Sequence, residues 1–231
     1  MGHGDSVDFD DEARKLFARY GLDNSGIGKG KFGGLYNPLD MIWKHPRTGG
    51  KVYVGNQQAA SNATLLQQNG VTHVVNCTDN MPLYHESKNI FTYLRWNVAY
   101  WPSDDAQLQP FLATLFEFVD AALAGGGCVL VHCLAGAHRA GTTGCLLLMY
   151  LAGCNATDAV TAAKKMRPAI DPIGRFPLLL SKSEPIIAAR RGMQGLGCAS
   201  GGGGGASGGA GDGVGAVGGG GGLTGFGRAL Q

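Results

Sequence analysis

Cys133 and Arg139 are the residues of this chain best suited to chemistry, and a short loop of Leu134, Ala135, Gly136, Ala137 and His138 separates them. A thiol at the start of a helix beside a cation is shifted toward thiolate, and the thiolate is the nucleophile. The planar guanidinium of Arg139 can pair two phosphoryl oxygens at once, which a lysine cannot do in the same geometry. The small residues Ala135, Gly136 and Ala137 let backbone N–H groups turn inward. A helix beginning at Arg139 adds unpaired N–H groups and the positive end of its dipole. Together these residues suit attack by sulfur on an anionic, phosphate-like centre. The plainer alternative, a buried structural cysteine before a glycine-rich turn, is disfavoured by the spacing and the flanking elements.

The elements that must position this loop can be read from periodicity. The run Val129-Leu130-Val131 is typical of a buried strand and leads directly into His132 and Cys133. Arg139 to Leu151 is apolar almost all round, as expected of a central helix. Strands are predicted over Lys51–Gly55 and Thr72–Cys77, with a further one inside Phe91–Tyr100. Between the first two, Asn62–Gln68 reads as a helix stopped by Asn69-Gly70. Leu108 to Ala124 is amphipathic, with Phe111, Leu112, Leu115, Phe118, Val119 and Leu123 inward, and it ends at Gly125. Asn155 to Met166 is a further helix, stopped by Pro168. Strands alternating with helices predict an α/β domain: a central mixed, mostly parallel sheet flanked by helices.

Composition bounds the rest. The chain has 231 residues and 40 glycines, too many for one compact fold. Most of the excess follows Met193, so residues 193–231 are expected to form a flexible Gly/Ala/Ser-rich low-complexity tail. Residues 1–39 are expected to hold a helix, Phe9–Tyr20, with Ala13, Leu16, Phe17 and Tyr20 on one face, and a glycine-rich linker. That segment is at best a degenerate EF-hand: Gly21 stands where a calcium loop needs its first carboxylate, and Phe32 where it needs a bidentate glutamate. The remaining residues, 40–192, are enough for one domain. The net charge of +2 does not point to nucleic acid or an anionic membrane as a partner. No apolar run is long enough for a membrane span, and the acidic start argues against a signal peptide, so a cytoplasmic, and also nuclear, location is expected. The six cysteines show no metal-ligand spacing and are read as free thiols. No metal or cofactor is expected, and the oligomeric state stays open.

The string His132-Cys133-x-x-Gly136-x-x-Arg139 resembles the signature of cysteine-based protein phosphatases, in particular the atypical dual-specificity branch. The stretch "YVGNQQAASNATLLQQNGVTHVVNCT" and the segment "MRPAIDPIGRFPLLL", with Arg167-Pro168 as its marker, extend the resemblance over residues 40–191. The resemblance implies hydrolysis of phosphotyrosine and phosphoserine/phosphothreonine monoesters in proteins through a phosphocysteine intermediate. Cys133 would be the nucleophile and Arg139 the phosphate holder. His132 would orient and support the thiolate. Leu134, Ala135, Gly136, Ala137 and His138 would line the phosphate seat, with His138 at its rim. Such a mechanism needs an acid for the leaving oxygen. Asp104, 29 residues before Cys133 in the run "WPSD", matches the general-acid loop, with Asp105 as the alternative. Either carboxylate could instead cap the following helix.

One position departs from the pattern. The resemblance implies Ser or Thr after the signature arginine, where its hydroxyl would support the cysteine as a leaving group, and this chain has Ala140. Thr142 or Thr143 could supply the hydroxyl instead. Cys77 ends a strand expected beside the catalytic one and could form a protective disulfide with Cys133, or be a small buried apolar residue. The four variable loop positions Leu134, Ala135, Ala137 and His138 lack lysine and arginine, which disfavours inositol phospholipid and RNA triphosphate substrates. The competing function is a phosphate-binding pseudophosphatase, an adaptor that holds phosphoproteins without hydrolysing them. A glucan phosphatase is a third option, with no carbohydrate-binding segment in sight.

Overall fold

The strand that ends at His132 lies in the middle of a five-stranded sheet in the computed structural model, which describes residues 7–23 and 36–197. Strands β1 (Leu39–Lys44), β2 (Lys51–Gly55), β3 (Val71–Asn76), β4 (Thr92–Arg95) and β5 (Cys128–His132) follow the spatial order β1-β2-β5-β3-β4. β1 pairs antiparallel with β2, and the remaining pairings are parallel, with Val131 opposite Val54 on one side and Val75 on the other. The predicted mixed, mostly parallel sheet is therefore present.

All five residues of β5 are buried, because strands flank it on both sides and helices cover both faces. That explains its unbroken apolar run. Its side chains alternate: Val129 and Val131 join Val52, Val54 and Val75 on one face, whereas Cys128 and Leu130 join Tyr53, Val71 and Val74 on the other. The first face packs against α4 (Asp105–Ala124), α5 (Arg139–Ala152), α6 (Ala156–Met166) and α7 (Phe176–Gly197); the second carries the short α2 (Gln57–Ser61) and α3 (Ala63–Gln68).

Helix α5 is buried at every position from Arg139 to Tyr150. At Gly144 a Cβ would lie 2.7 Å from Val54 Cγ2, so the helix rests directly on β2. Leu146 and Leu147 are fully buried there and contribute ~2 kcal/mol each. The loop between β5 and α5 is thus anchored at both ends by core packing.

The remaining helix, α1 (Phe9–Tyr20), has the predicted bounds. The Asp8 side chain caps its start by accepting from the Asp10 and Asp11 amides, and Gly21, at φ 72°, ends it in the left-handed region.

Several elements differ from expectation. β1 lies just beyond the expected linker and is an edge strand with only Ile42 fully buried, too weak a pattern to read. Helix α2 precedes α3, with Asn62 ending one and capping the other. β4 stops at Arg95, after which Val98–Tyr100 forms a 3-10 turn started by Asn97. Helix α4 begins three residues earlier than its apolar face suggests, because Asp104 caps it. Helix α7 continues to Gly197, past the expected start of the tail. Residues 24–35 of the predicted glycine-rich linker, which include the EF-hand-like loop beyond Asp23, and the tail beyond Gly197 lie outside the described residues. No single helix among the described residues is long and apolar enough to cross a membrane.

Candidate active site

Four consecutive carbonyls of the loop between β5 and α5 are taken up by its surroundings. Leu134 O accepts from the Gln57 amide at 3.1 Å, and Ala135 O from the Tyr36 hydroxyl at 2.6 Å and Arg167 Nη2 at 3.2 Å. Gly136 O accepts from Arg167 Nε at 2.8 Å, and Ala137 O from the Asp171 amide at 3.1 Å. A trans peptide unit points its C=O and N–H in opposite directions. Fixing these carbonyls outward therefore turns the amides of Ala135, Gly136, Ala137 and His138 toward the inside of the loop. The Gly136 amide donates to Cys133 Sγ at 3.2 Å. Only glycine fits there: its φ is +63°, and a Cβ would lie 2.5 Å from Gly55 O and 2.8 Å from Arg167 Nη2.

Arg167 is 1% exposed, and besides the loop it donates to Asn37 O at 2.8 Å and pairs with Asp40 at 2.5 Å. One guanidinium thereby ties the loop to the segment entering β1. Tyr36 adds its ring, 5.2 Å from the guanidinium carbon, and burial pushes its hydroxyl up to about 12. A planar fork with five donors suits this task; a point-charge ammonium would reach one or two of these acceptors.

Cys133 emerges from β5 at the base of the loop and is almost wholly buried. Arg139, also buried, opens α5. Its guanidinium donates from Nη2 to the Asp10 carboxylate of α1 and lies 5.7 Å from the Phe9 ring, while its Nε has no hydrogen-bond partner among the described residues. A cysteine sulfur, inward-facing amides and a buried guanidinium at the end of a central parallel strand are arranged as a seat suited to a tetrahedral oxyanion. This is also where strand order reverses, the usual place for ligands in open α/β sheets.

Comparison with known proteins fits this geometry. Residues 52–184, more than half of the chain, match the family described as dual specificity phosphatase, catalytic domain. The chain belongs to the dual-specificity phosphatase family. It is 32% identical over 140 residues to human protein phosphatase Slingshot homolog 3, covering 61% of this chain and 21% of that protein. It is 33% identical over 150 residues to human dual specificity protein phosphatase 16, covering 62% and 21% respectively. The chain thus spans about a fifth of the length of these relatives. The crystal structure of human DUSP28 superposes with a TM-score of 0.53 at 27% identity, over 66% of this chain and 96% of that one.

Against the dual-specificity phosphatase pattern, the carboxylates are distributed as follows. Asp104 caps α4, and both amide hydrogen bonds, from Ala106 at 2.7 Å and Gln107 at 3.3 Å, fall on Oδ1, leaving Oδ2 as the oxygen that could carry a proton. Asp105 pairs with Lys182 at 2.6 Å on the surface. Two carboxylates not singled out in the sequence interact with the arginine. Asp10 contacts Arg139 directly and takes a 3.1 Å hydrogen bond from Asn80 on Oδ2. Asp79 accepts from the Tyr100 hydroxyl at 2.9 Å; that bond holds its carboxyl below the usual range, with a smaller contribution from Arg139. Neither has a local signal, since Asp10 lies 129 residues from its partner.

The other expected residues fall into place unevenly. His132 is fully buried; burial first, then Arg95 and Arg139, drive it down to about 3, so it is neutral. Its Nδ1 has no partner among the described residues, and the hydrogen bond that reaches Cys133 Sγ comes from the Gly136 amide rather than the histidine. His138, expected at the rim, is instead buried, with Nδ1 2.8 Å from Asp171 O. A carbonyl only accepts, so Nδ1 carries the proton. Ala140 is buried, and neither candidate replacement hydroxyl has a free proton: Thr142 donates to His138 O at 2.7 Å and Thr143 to Arg139 O at 3.0 Å. Cys77 is buried with its thiol 3.3 Å from Thr143 Oγ1, and burial raises its pKa strongly. It shares a core cluster with Cys133, and both are free thiols.

Proposed function

We propose that this chain is a protein phosphatase that hydrolyses phosphotyrosine and phosphoserine/phosphothreonine monoesters through a phosphocysteine intermediate. The observation that carries the reading is the loop whose four outward carbonyls leave its amides facing the cysteine. Cys133 Sγ attacks phosphorus while the inward amides and Arg139 hold the three non-bridging oxygens. The bond to the leaving oxygen breaks, and that oxygen takes a proton from Asp104. Water, deprotonated by the same carboxylate, then attacks the phosphocysteine, and phosphate departs as the thiolate is restored. The substrates are phosphorylated proteins, and their recognition involves no nucleic acid and no membrane.

One observation favours a second reading, a phosphate-binding adaptor without turnover: Ala140 supplies no hydroxyl, and those of Thr142 and Thr143 are spent on backbone carbonyls. The discriminating experiment is hydrolysis of a small aryl phosphate, in EDTA, by wild type, Cys133→Ser and Asp104→Asn. Asparagine retains the cap of α4 and removes the acid. Abolition by the first substitution and a ~10²–10⁴-fold loss by the second support the phosphatase mechanism. An inactive wild type that binds phosphopeptide through Arg139 supports the adaptor.

A further inference from the structure

The guanidinium that should receive a phosphoryl group already holds a carboxylate from the protein's own first helix. Asp10 reaches Arg139 Nη2 with Oδ1, and its Oδ2 is held by Asn80 at 3.1 Å. The neighbouring Phe9 stacks on Phe176, with ring centroids 4.7 Å apart, and lies against the Arg139 guanidinium. One turn further on, Ala13, Leu16 and Phe17 form a buried cluster with Ala135 and Ala137 of the phosphate loop and with Ala169. Helix α1 is therefore seated on the loop by an apolar face, and held beside it by an aromatic stack on the first residue of α7 and an ion pair to the first residue of α5.

We propose that α1 is an intramolecular competitor for the phosphoryl seat, with the Asp10 carboxylate standing on the arginine that a phosphomonoester must take. The inference rests on the reading of Arg139 as the phosphate-holding residue. The pairing is incomplete in a telling way: among the described residues Arg139 Nε is buried without a partner, although a guanidinium commonly gives an oxyanion two parallel hydrogen bonds. A phosphoryl group can use Nε, Nη2 and the inward amides together, so substrate can displace the carboxylate. What Asp10 does is reduce the fraction of molecules with an open seat, and the apparent affinity falls by that fraction.

The test uses the full chain and two readouts. Tungstate binding is measured by calorimetry on Cys133→Ser with and without Asp10→Ala, and aryl phosphate hydrolysis on Asp10→Ala alone. Removing the competitor should tighten tungstate ~10-fold and lower KM by a similar factor, with kcat little changed. Asn80→Ala, which frees only one carboxylate oxygen and leaves α1 intact, should act in the same direction by ~3-fold, and it tests the idea should Asp10→Ala fold poorly. Unchanged or weaker tungstate binding in both variants would overturn the proposal, and so would a fall in kcat for Asp10→Ala, which would make Asp10 part of the machinery. If no variant hydrolyses the ester while tungstate still tightens, the phosphatase reading fails and the competitor stands.

Discussion

Arg167 should matter to the phosphate seat more than its distance from the chemistry suggests. Its side chain donates to Gly136 O, Ala135 O and Asn37 O and pairs with Asp40, and it is 1% exposed. In Arg167→Met, three carbonyls lose a partner and a carboxylate is left without its cation. Breaking a buried pair by removing one member costs ~3–5 kcal/mol. Asp40 is 16% exposed and regains some hydration, which moves the expectation to the lower end, ~3 kcal/mol. For a domain of this size that is a Tm lower by ~6–12 °C. Arg167→Lys keeps the charge beside Asp40 but loses the fork, so it should cost ~1–2 kcal/mol in stability yet still weaken the seat. The assay is thermal unfolding by circular dichroism alongside tungstate binding on the Cys133→Ser background at 15 °C, where every variant is folded. A loss of at least ~10-fold in affinity for Arg167→Lys is expected, because the Gly136 carbonyl is no longer fixed outward and Ala135 O keeps only its bond from Tyr36. If Arg167→Met melts within 2 °C of wild type, or if Arg167→Lys binds tungstate normally, the account of how the loop amides are aimed is refuted.

Other outcomes follow from single contacts. Gly136→Ala should reduce aryl phosphate kcat/KM by at least ~10²-fold, because its Cβ would meet Gly55 O at 2.5 Å in a left-handed conformation; near-normal activity would show that the loop can re-form around a side chain. His132 is neutral in the fold, with its pKa driven from 6.5 to about 3, whereas an unfolded histidine takes a proton near 6.5. Its contribution is therefore complete above the unfolded value and is lost as pH falls toward the folded one. At pH 5 the penalty is ~2 kcal/mol, and denaturant unfolding of His132→Asn should lose that part of the slope between pH 7 and 5; an unaltered slope would show that the histidine is not held neutral. Ala140→Ser restores a hydroxyl next to Arg139 and should raise kcat ~10-fold with kcat/KM unchanged, as expected if breakdown of the phosphocysteine limits turnover. Equal kcat would place the limit elsewhere.

The parts legible in the sequence are those set by local rules. β5 and α5 were readable because burial on both faces removes polar residues over a continuous run, and α1, α3 and α6 because their caps are adjacent in sequence. The loop that joins Cys133 and Arg139 was readable for the same reason, since it is short and follows β5 directly. What escaped was whatever depends on distant segments. Arg167 could be noticed only as a family marker; that it aims the loop carbonyls needs the fold to bring it to residues 31 and 32 positions away. Tyr36 and Asn37 fell in what reads as a linker because glycines dominate the stretch before them, yet both touch the site's supporting network.

The carboxylates show this limit most sharply. The sequence offers Asp104 and Asp105 next to a predicted helix start, where a cap and a general acid have the same residue type and nearly the same position. The structure assigns the cap to Asp104 Oδ1 and a surface ion pair to Asp105, so the same side chain that fixes the start of α4 has one oxygen left over. Capping and acid catalysis then need not exclude each other. The cap fixes the carboxylate's orientation through two amides, and any movement that brings Oδ2 to a leaving group must carry the first turn of α4 with it. Asp104→Ala, which removes the cap together with the proposed acid, should therefore lose ~1 kcal/mol of stability that Asp104→Asn retains, while both lose the same activity. If alanine and asparagine differ in rate by more than ~10-fold at a temperature where both are folded, the cap itself is setting the acid's position.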